Sequence, residues 1–126
     1  MKLTENFNLS EFESKDGAEM PQEVLINITK LACNLQRLRD ALNRPIRINS
    51  GYRSPSHNEA IGGVKNSKHT KGKAADIVVE GLSPKRVKRA IESLILDGEM
   101  LQGGIGLYDT FIHYDIYFDG IKNRRW

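Results

Sequence analysis

The sequence offers almost nothing for thiol chemistry. Cys33 is the one cysteine among 126 residues, which excludes both an intramolecular disulfide and a zinc site built from cysteines. It falls among Leu31, Ala32 and Leu35 on a helical segment, and this company predicts a packed thiol rather than a nucleophile. Any chemistry that the chain performs must therefore depend on other side chains.

Long apolar runs are also missing. No stretch approaches the roughly 20 apolar residues that a helix needs to cross a bilayer. The chain turns polar directly after Met1, whereas a secretory signal would continue with an apolar core. We therefore expect synthesis in the cytoplasm without a signal peptide and no stable membrane association.

The basic excess is mild, with a net charge of +3 and a pI near 9.1. The run Lys85–Arg89 is typical of a solvated helix face, and no dense basic stripe interleaved with stacking aromatics is present. We expect no nucleic-acid partner. A length of 126 residues with 39% hydrophobic composition predicts one domain, residues 1–126, with a real core, and we expect a monomer.

Periodicity predicts an α+β fold in which helices pack on one face of a small antiparallel sheet. Apolar residues recur every 3.6 positions from Pro21 to Leu42, as in an amphipathic helix. A second helix begins at the Ser83–Pro84 cap, and Ser10 to Glu13 matches a capping box. Four strands are predicted, at 46–49, 77–79, 103–108 and 110–118. The last two are expected to form a hairpin through Tyr108 and Asp109.

The most informative segment reads S-K-H-T-K-G-K-A-A-D from Ser67 to Asp76. It places His69 seven positions before a carboxylate that precedes a β-branched strand. Zinc accepts nitrogen and oxygen ligands, and a catalytic site uses three protein ligands with one position open. The third ligand must then be His113, on the strand-like run that follows, or His57, which is the weaker candidate.

Three blocks in order make the sequence similar to a known family. The pattern S-x-H-x-x-G-x-A-x-D is preceded by S-G-Y-R-S-P at Ser50 and followed by I-H-Y-D at Ile112. Together they resemble the zinc D-alanyl-D-alanine carboxypeptidase family, whose relatives include phage endopeptidases and, as a distant fold cousin, the hedgehog signalling domain. The resemblance implies a hedgehog-like fold, a Zn²⁺ cofactor and His69, Asp76 and His113 as its ligands.

The same resemblance implies roles for residues around the metal. Arg53 matches the family arginine that stabilises charge on the carbonyl oxygen or binds a substrate carboxylate, and Ser67 and Asn58 are expected to bind substrate. Similar peptidases carry an acidic general base three residues before the last histidine, where this chain has Thr110. Asp115, as base or as orienter of a ligand, and Asp109, as runner-up base, are the remaining candidates.

Three hypotheses about function follow. The first is a zinc peptidase that hydrolyses the peptidoglycan stem peptide, as carboxypeptidase or endopeptidase, released for phage or prophage lysis. The second is a non-catalytic zinc-binding module on the same fold, which the missing acid at Thr110 favours. The third is a basic interaction domain without metal.

Overall fold

The computed structural model describes residues 1–126 and confirms the α+β class. Four strands form an antiparallel sheet in the order Ile46–Ser50, Ala74–Val79, Ile112–Asp115 and Ile105–Leu107. None of the helices is both long enough and apolar enough to cross a membrane. The elements, in chain order, are α1 (Gln22–Leu42), β1 (Ile46–Ser50), α2 (Pro55–Ala60), β2 (Ala74–Val79), α3 (Pro84–Leu96), β3 (Ile105–Leu107) and β4 (Ile112–Asp115).

The two longer helices begin and end where the sequence signals them. Helix α1 ends at Asn43, whose left-handed conformation (φ 50°) lets its N–H bond the carbonyl of Arg39. Helix α3 begins at Ser83, whose hydroxyl accepts a hydrogen bond from the Arg86 N–H. Both helices bury apolar residues against the sheet in one hydrophobic core.

Alternation along β2 and β4 separates the core from the site. Ile77 on β2 and Tyr114 on β4 belong to the hydrophobic core. Their neighbours Asp76 and His113, which are paired directly across the two strands, point to the opposite face. The sheet therefore carries helices on one face and polar, ionisable groups on the other, as the pattern predicted.

The prediction for Cys33 was wrong, because its side chain is exposed. The helical period explains this: Leu31 and Leu35 lie on the buried stripe, and a residue two positions after Leu31 projects away from it. The neighbouring polar residue Asn34 is buried instead, and its side-chain amide oxygen accepts a hydrogen bond from the Leu101 N–H. Helix position thus outweighs residue type here.

The cap of the first helical turn also differs from the prediction. The turn is a 3₁₀ helix, Leu9–Phe12, and its N-cap is Asn8 rather than Ser10. The Asn8 side chain accepts a hydrogen bond from the Ser10 N–H, and the Glu11 carboxylate accepts one from the Asn8 N–H. The capping box exists, but it begins two residues earlier than expected.

The last residues of the chain extend the sheet. Residues 124–126, which we call the tail, run parallel to β3 and bridge Ile105 to Arg125. The Leu107 N–H donates to the Trp126 carbonyl at 2.7 Å, and the Trp126 N–H donates to the Ile105 carbonyl at 3.0 Å. The tail therefore covers the edge of β3 that faces away from β4.

Candidate metal centre

His69 is held by the backbone around it. It lies on a 3₁₀ helix, Lys68–Lys71, where the Ser67 hydroxyl accepts a hydrogen bond from the His69 N–H. The helix ends at Gly72, whose φ of 73° favours glycine. A Cβ at this position would also lie 2.8 Å from the Val24 carbonyl oxygen on α1. Glycine therefore allows both the turn and the close approach that fix His69 against the fold.

Three buried side chains converge at this site: His69, Asp76 and His113. The Oδ1 atom of Asp76 lies 3.2 Å from Nε2 of His69 and 3.3 Å from Nδ1 of His113. All three ligand atoms lie within 4.8 Å of one another. Tetrahedral zinc with bonds of roughly 2.0–2.1 Å separates its ligand atoms by roughly 3.3–3.4 Å. The spacing observed for the two Asp76 contacts fits such a centre.

In each imidazole, the nitrogen that faces away from Asp76, which we call the outer nitrogen, determines whether the inner nitrogen, which faces Asp76, carries a lone pair or a proton. Nδ1 of His69 lies 2.8 Å from the Gly51 carbonyl, and Nε2 of His113 lies 2.8 Å from Oδ2 of Asp115. Both oxygens can only accept, so these outer nitrogens carry the protons. In neutral rings, the inner lone pairs then face Asp76 Oδ1. Three electron-rich atoms converge on one point, which suits a cation.

Charge at the centre supports the same conclusion. Burial raises the pKa of Asp76, but its contacts with His113 and His69 outweigh burial and hold that pKa below its usual range. Burial lowers the pKa of His113, but Asp115 and Asp76 outweigh it and raise that pKa. The two carboxylates therefore favour positive charge on or beside the His113 ring.

Arg53 reaches this centre from the segment after β1. Its guanidinium contacts Oδ2 of Asp76 at 3.3 Å, and the side chain is only 16% exposed. It also donates to Oγ of Ser50 and to the side-chain oxygen of Asn58. Asn58 is itself buried, and its amide nitrogen donates to the Val64 carbonyl. The structure therefore brings Arg53 to the ligands and keeps Asn58 behind it.

Asp115 lies behind His113, on the side away from Asp76. It is fully buried, and the Arg124 guanidinium donates to both of its oxygens, at 2.9 and 3.1 Å. The N–H groups of Gly104 and Tyr117 donate to Oδ1, while His113 donates to Oδ2. Burial raises the pKa of Asp115, but the bonds from His113 and Arg124 hold it below its usual range. Both oxygens are therefore engaged within the protein.

Two other candidates lie outside the cluster. His57 is on α2 and is not one of the three converging residues. Asp109 is an exposed residue of the turn between β3 and β4. The cluster opens into a cleft of about 500 Å³ in which Asp76 provides the one carboxylate; the residues that line it are Arg53, Val64, Asn66, Ser67, Lys68, His69, Asp76, Tyr108, Phe111, His113, Arg124 and Trp126.

Sequence reasoning missed the contribution of the tail. The Trp126 ring packs on His113 with centroids 4.9 Å apart, and its Nε1 donates to the Tyr108 hydroxyl at 2.8 Å. Tyr108 in turn stacks on Phe111 along the cleft wall. The basic and aromatic residues at the end of the sequence were the available signal, but no local pattern indicated that they would pack against the site.

Known proteins provide an independent comparison. Residues 2–115 match the model of the family described as Peptidase M15. A probable peptidoglycan L,D-endopeptidase MepK of Haemophilus influenzae is 38% identical over 96 residues, which cover 71% of this chain and 48% of that protein. The peptidoglycan L,D-endopeptidase MepK of Escherichia coli K12 is 36% identical over 90 residues, covering 64% and 46%.

A third relative carries the name of the family inferred from the motifs. The zinc D-Ala-D-Ala carboxypeptidase of Streptomyces albus G is 46% identical over 44 residues, which cover 34% of this chain and 17% of that protein. The chain spans about half the length of the two MepK relatives. Because the family match runs from residue 2 to residue 115 and so includes all three clustered side chains, the chain belongs to the peptidase M15 family.

Proposed function

We propose that this protein is a zinc-dependent peptidase that hydrolyses a peptide bond in the peptidoglycan stem peptide. The observation that carries the proposal is the convergence of two imidazole nitrogens and one carboxylate oxygen at the base of an open cleft. Two relatives are named as peptidoglycan endopeptidases and one as a zinc carboxypeptidase. Their names support the substrate class and the metal, respectively.

The three ligands would hold zinc through Nε2 of His69, Oδ1 of Asp76 and Nδ1 of His113. Zinc bound by three protein ligands supplies a Lewis acid that activates water and polarises a carbonyl group. The protein's own part is to fix the two tautomers, through the Gly51 carbonyl and Asp115, and to keep Asp76 ionised.

Two donors in the cleft are suited to the negative charge that develops on the scissile carbonyl oxygen. Arg53 is always charged and is held by Ser50 and Asn58, so it needs little reorganisation. The Tyr108 oxygen accepts the hydrogen bond from Trp126, which leaves its own proton free to donate into the cleft. We assign charge stabilisation to both, with Asn58 positioning Arg53 and Ser67 ordering the His69 turn.

Asp115 is assigned the role of positioning His113. An Asp115→Asn variant replaces an acceptor with an amide that would direct a donor at His113 or at Arg124. We expect its zinc affinity to fall roughly 10–100-fold, as for other outer partners of metal ligands. Competition with a chromogenic chelator measures this. Unchanged zinc affinity together with lost hydrolysis would instead make Asp115 the general base.

Asp109 serves as the comparison for Asp115. It is exposed on a turn, where aspartate is favoured for its local hydrogen bonding, and it does not line the cleft. We expect Asp109→Asn to retain zinc and to keep turnover within about threefold of the wild type, since surface changes of this kind alter free energies by a few tenths of a kcal/mol. A loss of about 10²-fold or more would assign the base to Asp109.

A second candidate function is a zinc-binding module without hydrolytic activity. The observation that favours it is that Asp76, a candidate metal ligand, is the one carboxylate that lines the cleft. The cleft therefore offers no second carboxylate that could act as a base and accept the proton from water. Both candidates require the metal, and neither matches a basic interaction domain without one.

Incubation with purified peptidoglycan distinguishes the two candidates. The zinc-loaded protein should release muropeptides whose masses identify the bond cut, and a chelator should stop the release. Stoichiometric zinc without any new muropeptide would support the non-catalytic module. Protein that binds no zinc would contradict both.

A further inference from the structure

Lys68 places a positive charge at the rim of the cleft. It precedes His69 on the 3₁₀ helix, lines the cleft and is partly buried. Its Nζ atom lies 3.9 Å from the centroid of the Tyr117 ring. The ammonium group is therefore held on an aromatic face rather than extended into solvent.

Two further cationic side chains lie near the Tyr117 ring. Nζ of Lys73 lies 5.8 Å from the ring centroid, and the Arg124 guanidinium carbon lies 5.4 Å from it. The charge of Arg124 is matched by its paired contacts with Asp115. Every side-chain ion pair in the protein uses an arginine or a histidine, so Lys68 and Lys73 have no carboxylate partner.

The backbone holds this group of residues in place. The Tyr117 N–H donates to Asp115 and its carbonyl accepts from Arg124. The Lys73 N–H donates to the Lys68 carbonyl at 3.1 Å. Both ammonium groups lie near one aromatic ring without a carboxylate partner, and a cation–π contact does not cancel their charge. An anion bound beside them would.

We propose that Lys68, seated on Tyr117 at the rim of the cleft, binds a free carboxylate of the substrate, and that Lys73, near the same ring but not lining the cleft, adds positive charge behind it. The inference rests on the proposed function and narrows the substrate to an anionic stem peptide whose carboxylate lies near the scissile bond, because Lys68 is adjacent to the ligand His69. A stem pentapeptide with lysine at its third position carries two such groups, the α-carboxylate of its D-glutamate and its C-terminal carboxylate. Both present the same chemistry to Lys68.

Three forms of one synthetic peptide separate these sources. The zinc-loaded protein is assayed with L-Ala-γ-D-Glu-L-Lys-D-Ala-D-Ala, with the same peptide amidated at D-glutamate, and with its C-terminal amide. Amidation of the carboxylate that Lys68 binds should lower kcat/KM about tenfold, mainly through KM, as expected for one partly exposed charge pair. Amidation of the other carboxylate should have a smaller effect.

The matching protein variant is Lys68→Gln. It should lose about tenfold in kcat/KM on the free acid, lose the sensitivity to amidation, and retain zinc content and circular dichroism. Lys68→Arg should keep most of the preference. Lys71→Gln is the control, because Lys71 is exposed on the same 3₁₀ helix and does not line the cleft.

The outcomes separate this inference from the proposed function. Equal cleavage of all three peptides by the wild type and by Lys68→Gln would overturn the carboxylate site while leaving the peptidase intact. If the wild type cleaves none of them, the muropeptide assay decides the proposed function, and calorimetric titration of the uncut peptides decides the carboxylate site by itself. Tenfold weaker binding of one amide by the wild type, absent in Lys68→Gln, would support it; identical affinities would overturn it.

Discussion

Replacing His69 or His113 with alanine should reduce bound zinc from about one ion per chain to a level near zero. Each change leaves two ligands of a three-ligand centre and removes an imidazole whose outer nitrogen is already fixed. The loss of affinity should exceed the roughly 10–100-fold cost of removing an outer partner. Elemental analysis of protein dialysed against trace zinc measures the content directly, and hydrolysis should disappear with the metal.

His57→Ala is the matched control for these variants. His57 is the remaining histidine of the chain, but it lies on α2 and outside the cluster. This variant should retain full zinc occupancy. Full occupancy in His69→Ala as well would exclude the proposed centre, whereas loss in all three variants would indicate that stability rather than coordination had changed.

Replacing Arg53 with alanine should lower turnover roughly 10²–10³-fold, the usual loss when one preorganised donor to a developing oxyanion is removed. The zinc content should remain close to that of the wild type, because Arg53 contacts Oδ2 of Asp76 and the ligand atom is Oδ1. Single-turnover kinetics on a defined stem peptide separate this effect from weaker binding.

Arg47→Ala is the control for Arg53. Arg47 lies on β1, is exposed, and donates to Asn49 outside the cleft. We expect it to leave turnover unchanged. An Arg53→Ala protein as active as this control would reduce Arg53 to an ion-pair partner of Asp76.

Local sequence patterns predicted those parts of the protein whose physical causes are themselves local. The 3.6-residue period of α1, the Ser83–Pro84 cap and the strand residues 77–79 each depend on neighbouring residues, and each is present, although the strand begins earlier, at Ala74, and includes Asp76. The convergence of the three side chains was predictable for a related reason. Asp76 and His113 lie on strands with clear alternation, and the residues between His69 and Asp76 return the chain to β2.

The surroundings of Asp115 could not be predicted in this way. Two of its partners, Arg124 in the tail and the N–H of Gly104, are not close to it in sequence. A carboxylate two residues after a ligand can serve as a base or as an outer partner, and only the atoms around it distinguish the two. Sequence reasoning kept both roles open, and it offered no sign that Trp126 would pack on His113.

The position of the tail separates the residues that would bind a metal from the residues that hold them in place. The three clustered side chains all precede residue 114, but two of the groups that support His113 belong to Arg124 and Trp126. A variant lacking residues 124–126 would keep all three side chains, but it would expose the edge of β3 and leave Asp115 buried without a guanidinium partner. Loss of these three residues should therefore weaken the site while leaving its set of candidate ligands complete.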